Sequence, residues 1–300
     1  QPIVLLGGGT TLIGDPSGKE KTRKILDKKE INKNIKSIEN VFKIFLKSKN
    51  SKTKPIFVNN YSWLSKLNYI NFLREIGKHF TINKMLSFDS VKLRLERKQS
   101  LSYMEFNYMM LQAYDFLELN KRHKCILQIG GSDQWGNIVN GVDLIKRKNK
   151  KQAYGLTTPL ITLSSGAKMG KTETGAIWLD KKMLSPYDYW QFWRNTDDKD
   201  VMNFLRLFTD LNLDQISQLE KNNQDINKLK ILLANEATTM LHGSKAAKES
   251  ETTAQKTFKD KSIGKNLPVV KVKKISITDG MNVLDLVLLT TLANSKGEIR

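Results

Sequence analysis

Cys125-Ile126-Leu127-Gln128-Ile129-Gly130-Gly131-Ser132-Asp133-Gln134-Trp135-Gly136-Asn137 is the stretch whose reading decides the fold. Its first five residues form a short apolar run of the kind that makes a strand. Two glycines end the run, and Ser132, Asp133 and Gln134 are placed to cap a helix predicted to continue through Lys148. Strand, glycine turn and helix in that order make half of a βαβ unit. Ligands of parallel sheets lie beyond the carboxyl ends of the strands. The same thirteen residues therefore predict both an architecture and the place of a site.

Working outward, the alternation repeats. Gln1-Pro2-Ile3-Val4-Leu5-Leu6 reads as a buried strand that runs into Gly7-Gly8-Gly9-Thr10. Ile31, Ile35, Ile38, Phe42 and Phe45 recur at steps of three and four, which is one face of a helix. Pro55-Ile56-Phe57-Val58 is a second short strand, and 61–80, 88–97 and 102–120 read as helices. Leu160-Ile161-Thr162-Leu163 is a further predicted strand, followed by a loop over 164–175. This pattern predicts a parallel α/β sheet with helices on both faces. From Ser185 to about Lys259 the pattern is helical throughout, an all-α domain. Residues 266–274 read as a linker or strand, and 283–292 as an apolar helix of a third, incomplete unit, with Ser295 a candidate cap for a last turn.

Composition narrows the function. Lys+Arg 50 against Asp+Glu 30 leaves a net charge of +20, which favours a polyanionic partner. A single cysteine, Cys125, excludes a disulfide scaffold or a multi-cysteine metal cluster, and fits a reducing compartment. Three scattered histidines, His79, His123 and His242, argue against a histidine-rich metal site. No apolar run approaches the roughly 18 residues of a membrane span.

Two phosphate motifs fail on inspection. A dinucleotide fingerprint starting at Gly7-x-Gly9 needs Gly or Ala at position 12, which is Leu12. Gly170-Lys171-Thr172 has the end of a P-loop, but Ser165 stands where its first glycine belongs. What remains is a loop with Lys168 and Lys171 among Gly166, Gly170 and Gly175: two ammonium groups on small-residue backbone, suited to a polyphosphate whose charge shifts during reaction. A solvated lysine loop explains the same residues. In Gly14-Asp15-Pro16-Ser17-Gly18-Lys19, Asp15 could hold an ammonium group, and Lys19 and Arg23 could reach phosphate; a plain turn is the alternative. Tyr108, Gln112 and Asp115 are spaced by four and three and share one face of an otherwise apolar helix. If that face is buried, its polar groups need partners. In 130–137 the glycines permit close backbone approach, Asp133 suits ribose hydroxyls, and Gln134 offers an amide.

Taken together and in this order, Gly14 to Lys19, Tyr108-x-x-x-Gln112-x-x-Asp115, Gly130 to Asn137 and Lys168-Met169-Gly170-Lys171-Thr172 resemble the bacterial-type tyrosyl-tRNA synthetases, a class I family. The resemblance implies a Rossmann-like catalytic domain over 1–184, a helical anticodon-side domain over 185–262, and a linker with the start of a small RNA-binding domain over 263–300. It implies that tyrosine and ATP form an adenylate and pyrophosphate, and that tyrosine then passes to the 3′ end of its tRNA. Mg²⁺ is expected with ATP, and no tightly bound protein metal. Asp15, Tyr108 and Gln112 are expected to hold the substrate ammonium, Asp115 to accept from its phenol, and Gln134 to contact the substrate. Asn60 is expected behind the amino-acid pocket. Gly131 and Asp133 would meet the ribose, and Lys19, Arg23, Lys168 and Lys171 the departing pyrophosphate. The resemblance further implies a homodimer joined through 101–110, and a cytoplasmic or organellar-matrix location.

The sequence also departs from the family. Its first strand and its His-x-Gly-His motif have no counterpart here, and the RNA-binding domain stops early. The expectation is a piece of a complete enzyme, cut at both ends and inactive by itself. A non-catalytic RNA-binding paralogue is the competing reading. The sister enzyme for tryptophan is disfavoured, because an indole offers no hydroxyl to Asp115.

Overall fold

The computed structural model describes residues 1–14, 26–48, 50, 52–167, 169, 171–172, 175–222, 225–258, 270–272, 280–290, 293 and 295–299. The chain divides into two compact units, Gln1–Ala176 and Ile177–Arg300.

The first unit is α/β. Strand β1 (Ile3–Leu6) pairs in parallel with β2 (Ile56–Asn59), Ile3 opposite Ile56 and Leu6 opposite Asn59. Helix α1 (Lys28–Phe45) lies between them in sequence. Asp27 starts it with a reciprocal cap: its carboxylate accepts from the Glu30 N–H, and that of Glu30 from the Asp27 N–H. The predicted apolar face is only partly used. Ile31 is buried, whereas Ile38, Phe42 and Phe45 are 40–49% exposed.

Strand β3 (Leu127–Gly131) pairs in parallel with β4 (Tyr154–Thr158), Leu127 opposite Tyr154 and Gly131 opposite Thr158. Here the structure corrects the sequence reading. The partner strand is β4, and at 160–163 there is only a single bridge, at Thr162. Pro159 has no N–H to continue the ladder, so the chain leaves the pair there. Two glycines seat helix α8 (Trp135–Asn149) against this pair. A Cβ at Gly155 would lie 2.5 Å from Ile138 Cγ2, and one at Gly130 3.0 Å from Ile138 Cδ1. Side chains alternate along a strand, so the opposite face carries Leu127, Ile129, Tyr154 and Leu156, all exposed.

The predicted helix over 61–80 is broken into α2 (Tyr61–Leu64) and α3 (Tyr69–Glu75), because Asn68 accepts from the Asn71 N–H and starts a new helix. Next come α4 (Ile82–Leu86) and α5 (Asp89–Glu96). The predicted helix over 102–120 is interrupted at Asn107 between α6 (Tyr103–Phe106) and α7 (Tyr108–His123). Helix α7 is the spine of the unit. Its Ala113, Phe116 and Leu117 pack with Leu144 and Ile145 of α8 and with Ile76 and Ala153. Met109 and Met110 pack with Met85 and Val91. A short antiparallel ribbon, β5 (Lys171–Thr172) with β6 (Gly175–Ala176), ends the unit.

The second unit is helical: α9 (Pro186–Arg194), α10 (Asp198–Phe208), α11 (Leu213–Lys221), α12 (Ile226–His242), α13 (Ser244–Phe258), α14 (Val283–Leu289) and α15 (Lys296–Ile299). Ser185 caps α9 by accepting from the Asp188 N–H, with Pro186 in the first turn. Ser295 caps α15 as expected, accepting from the Glu298 N–H at 3.2 Å. Trp190, Trp193, Phe204, Leu205 and Leu233 form the core of this unit. Among the described residues, no helix is long and apolar enough to cross a membrane.

Candidate active site

The first half of the site begins where β1 ends. Gly8 and Gly9 make room for the residues that follow β2. A Cβ at Gly8 would lie 2.3 Å from Asn59 Oδ1, and one at Gly9 2.8 Å from Leu64 Cδ1. With no side chain in the way, the Gly9 N–H donates to Asn60 Oδ1 at 2.7 Å. That bond fixes the Asn60 amide with its nitrogen facing inward. Asn60 Nδ2 donates to Asp115 Oδ2 at 2.8 Å and to Thr10 Oγ1 at 3.0 Å. Trp63, three residues further on, donates its indole N–H to Asp115 Oδ1 at 2.7 Å. The Arg122 guanidinium, paired with Glu118 at 2.8 Å, covers the Trp63 ring at 5.3 Å.

Asp115 is therefore buried at 2% exposure, with one N–H donor on each oxygen. Burial pushes its carboxyl up to about 7, against the pull of the Asn60 and Trp63 hydrogen bonds, and the Glu118 charge adds to the rise. Each carboxylate oxygen has two lone pairs, so one acceptor position per oxygen remains. An incoming hydroxyl is the neutral group that best fills such a position.

The second half is carried by the start of α7 and the end of β3. Tyr108, Gln112 and Asp115 lie along one face of α7: the first two are half-buried and the third is buried. The stripe does not face solvent. Gln112 Nε2 donates to Gln134 Oε1 at 3.5 Å, and Asn137 Nδ2 donates to the same oxygen at 3.1 Å. Gln134 Nε2 lies 3.5 Å from Asp133 Oδ2. Gly131 is needed for this turn, since a Cβ there would sit 2.7 Å from Asp133 Oδ1. The turn at 132–134 is a single 3₁₀ turn without a side-chain cap, which corrects the expected capping role of Ser132. Asp133 is exposed there and open to a ligand hydroxyl.

Of the residues expected in the site, the structure brings Asn60 onto Asp115, and Gln112, Gln134 and Asp133 into one chain of contacts. Asp15, Lys19, Arg23 and Lys168 lie outside the described residues. Lys171 opens β5, and its side chain is likewise outside them. Trp63, Thr10 and Asn137 escaped the sequence reading. A signal existed for Trp63, because a buried indole needs an acceptor and it follows Asn60 by one helical turn. Among the described residues, no three His, Cys, Asp or Glu side chains are grouped to hold a metal.

Three comparisons with known proteins bear on this geometry. Residues 1–259 match the model of the family described as tRNA synthetases class I (W and Y). The tyrosine–tRNA ligase of Pelagibacter ubique (strain HTCC1062) is 68% identical over 300 residues, covering all of this chain and 73% of that protein. That of Caulobacter vibrioides (strain NA1000 / CB15N) is 53% identical over 301 residues, covering 72% of that protein. Among solved structures, a C-terminally truncated Aspergillus nidulans mitochondrial tyrosyl-tRNA synthetase superposes with a TM-score of 0.72 at 32% identity. That match covers 86% of this chain and 77% of that one.

Proposed function

The chain belongs to the class I tRNA synthetases of the tryptophan and tyrosine type, and from that premise we propose how its own residues serve the activity. The activity is that of an ATP-dependent tyrosine–tRNA ligase. The observation that carries the residue assignment is the buried Asp115, held by Asn60 and Trp63 with acceptor capacity to spare. It lies at the foot of a polar stripe that continues through Gln112 to Gln134 and Asp133.

On this reading the amino acid lies along α7. Its phenol donates to Asp115, and its ammonium group meets Tyr108, Gln112 and Asp15. The carboxylate then points toward Gln134 at the carboxyl end of β3, where Gly131 and Asp133 receive the ribose of ATP. The carboxylate oxygen attacks the α-phosphate in line. The bond to the bridging oxygen breaks, and pyrophosphate leaves with the electron pair. No enzyme nucleophile is needed; positioning and charge stabilisation carry the step. Lys19, Arg23, Lys168 and Lys171 are the cations assigned to the developing negative charge. Mg²⁺ enters with the ATP phosphates as part of the substrate. In the second step a hydroxyl of the terminal ribose of tRNA attacks the tyrosyl carbonyl and loses its proton, the bond from that carbonyl to the adenylate phosphate oxygen breaks, and AMP leaves with the electron pair.

Selectivity follows from the same carboxylate. Phenylalanine leaves a buried acceptor without its third donor, and an unsatisfied buried polar group costs about 1–3 kcal/mol, more when charged. Tryptophan presents a larger ring with no hydroxyl at that depth.

We assign residues 1–184 to catalysis, 185–262 to the anticodon side of the tRNA, and 263–300 to a linker and the start of a small RNA-binding domain. The +20 net charge supports a tRNA backbone as partner. A homodimer through 101–110 is supported by the exposed pair Tyr69 and Tyr103, whose hydroxyls lie 3.0 Å apart beside the exposed Ile70. Because charging serves translation, the protein is assigned to the cytoplasm or an organellar matrix.

The test is amino-acid-dependent exchange of pyrophosphate into ATP, with tyrosine, phenylalanine and tryptophan run in parallel. Exchange with tyrosine alone supports the assignment. Exchange with none of the three by the folded natural chain would turn the reading toward an RNA-binding paralogue.

A further inference from the structure

The geometry assigns Asn137 as the residue that sets which end of the Gln134 amide faces the substrates, an assignment that rests on the reading of Gln134 given above. The orientation of an amide is ambiguous from shape alone, but here the chemistry of one neighbour identifies it. The Asp133 carboxylate can only accept, so the atom of Gln134 that lies 3.5 Å from Asp133 Oδ2 is the nitrogen. The Gln134 oxygen is then on the other side, where it meets Asn137 Nδ2 at 3.1 Å and Gln112 Nε2 at 3.5 Å. Of these two donors Asn137 is the nearer. It is also 5% exposed, on the first turn of α8, so its side chain is held by the packing around it. Gln112 is half-buried and, on the reading above, is shared with the substrate ammonium.

The consequence is chemical. With its oxygen held from behind, Gln134 turns an N–H toward Asp133 and the carboxyl end of β3. The oxygens that meet there during adenylate formation are those of a carboxylate and an α-phosphate, and all of them are acceptors. A donor stabilises them, and a carbonyl oxygen in its place repels them. Asn137 touches neither substrate. It is a positioning residue acting through Gln134, and it makes the site selective for an anionic oxygen at that point.

The test is a double-mutant cycle on tyrosine-dependent pyrophosphate exchange in the full natural chain, with Gln134→Ala, Asn137→Ala, Asn137→Asp and both double variants. Asn137→Asp keeps the volume of the side chain but replaces the donor by an acceptor. It therefore favours the flipped amide and remains informative if Asn137→Ala folds poorly. The expected loss for Asn137→Ala is roughly two- to tenfold in kcat, the range of one hydrogen bond, with a larger loss for Asn137→Asp. Neither adds to the loss already caused by Gln134→Ala. A general loss of packing would instead lower the thermal midpoint and persist in the Gln134→Ala background. Equal losses with and without Gln134 overturn the assignment of Asn137 and leave that of Gln134 intact. Unchanged exchange in Gln134→Ala itself overturns both.

Discussion

Replacing Trp63 by Phe removes one of the two N–H donors on Asp115 and leaves an aromatic ring in place. The bond lost is 2.7 Å long and made to a carboxylate. Hydrogen bonds to charged groups contribute about 1.5–3 kcal/mol, and one pH unit corresponds to about 1.4 kcal/mol. The carboxyl, already pushed up to about 7 by burial, therefore rises by roughly one to two further units. At pH 7 the ionised fraction falls from about one half to between roughly one part in ten and one in a hundred. If tyrosine is recognised by the ionised Asp115, kcat/KM for tyrosine at pH 7 falls about five- to fiftyfold by this term. The loss is recovered as the pH is raised. The assay is pyrophosphate exchange from pH 6 to 9, with phenylalanine as the reference substrate. Phenylalanine shares the ammonium and carboxylate ionisations and lacks the phenol, so the ratio of the two isolates Asp115. An unchanged midpoint of that ratio in a Trp63→Phe protein of normal thermal stability would refute the reasoning.

Three further outcomes are expected. The Asp115 carboxyl lies above its unfolded value of 3.8, so the folded state binds the proton more tightly, and stability contributed by this group falls as pH rises from about 4 to about 7. Asp115→Asn removes that dependence; chemical denaturation at pH 4.5 and 8 should show a smaller difference for the variant than for the parent, and an equal difference contradicts the account. Arg94 and Glu105 form an ion pair at 3.2 Å with both side chains about 5% exposed or less, and Arg94 also donates to the Ser100 carbonyl. Arg94→Ala strands the Glu105 charge and should cost about 3–5 kcal/mol in urea unfolding; a loss under 1 kcal/mol would show that the pair is solvated. Gly9→Ala places a Cβ 2.8 Å from Leu64 Cδ1 and 3.3 Å from Asn60 Oδ1. It should cost about 1–3 kcal/mol through overpacking and raise KM for tyrosine more than it lowers kcat, which steady-state kinetics will separate.

Much of the framework of the candidate site was legible because its elements are local. The four-and-three spacing of Tyr108, Gln112 and Asp115 is a property of one helix, and α7 carries them as predicted. The apolar run before Gly130 gave strand β3, and its glycines gave the tight approach of Asp133 and Ile138. What escaped depends on contacts far apart in sequence. Nothing near Tyr154 marks it as a strand apart from its pairing with Leu127, while the apolar 160–163 imitates a strand but follows Pro159. The break at Asn107 and the new start at Asn68 are cap geometries that apolar periodicity does not register. Gly7, Gly8 and Gly9 read as a failed nucleotide fingerprint, yet Gly8 and Gly9 serve the approach of Asn59, Asn60 and Leu64, some fifty residues away. Trp63 and Thr10 join the site through Asp115 and Asn60 at separations of about fifty residues, beyond any local pattern.

The central claim is that Asp115 selects tyrosine by its hydroxyl. The most direct measurement is the ratio of kcat/KM for tyrosine to that for phenylalanine in pyrophosphate exchange, before and after Asp115→Ala. The account predicts that the ratio collapses toward one, with phenylalanine turnover reduced far less than tyrosine turnover. An unchanged ratio in a folded Asp115→Ala protein would contradict it.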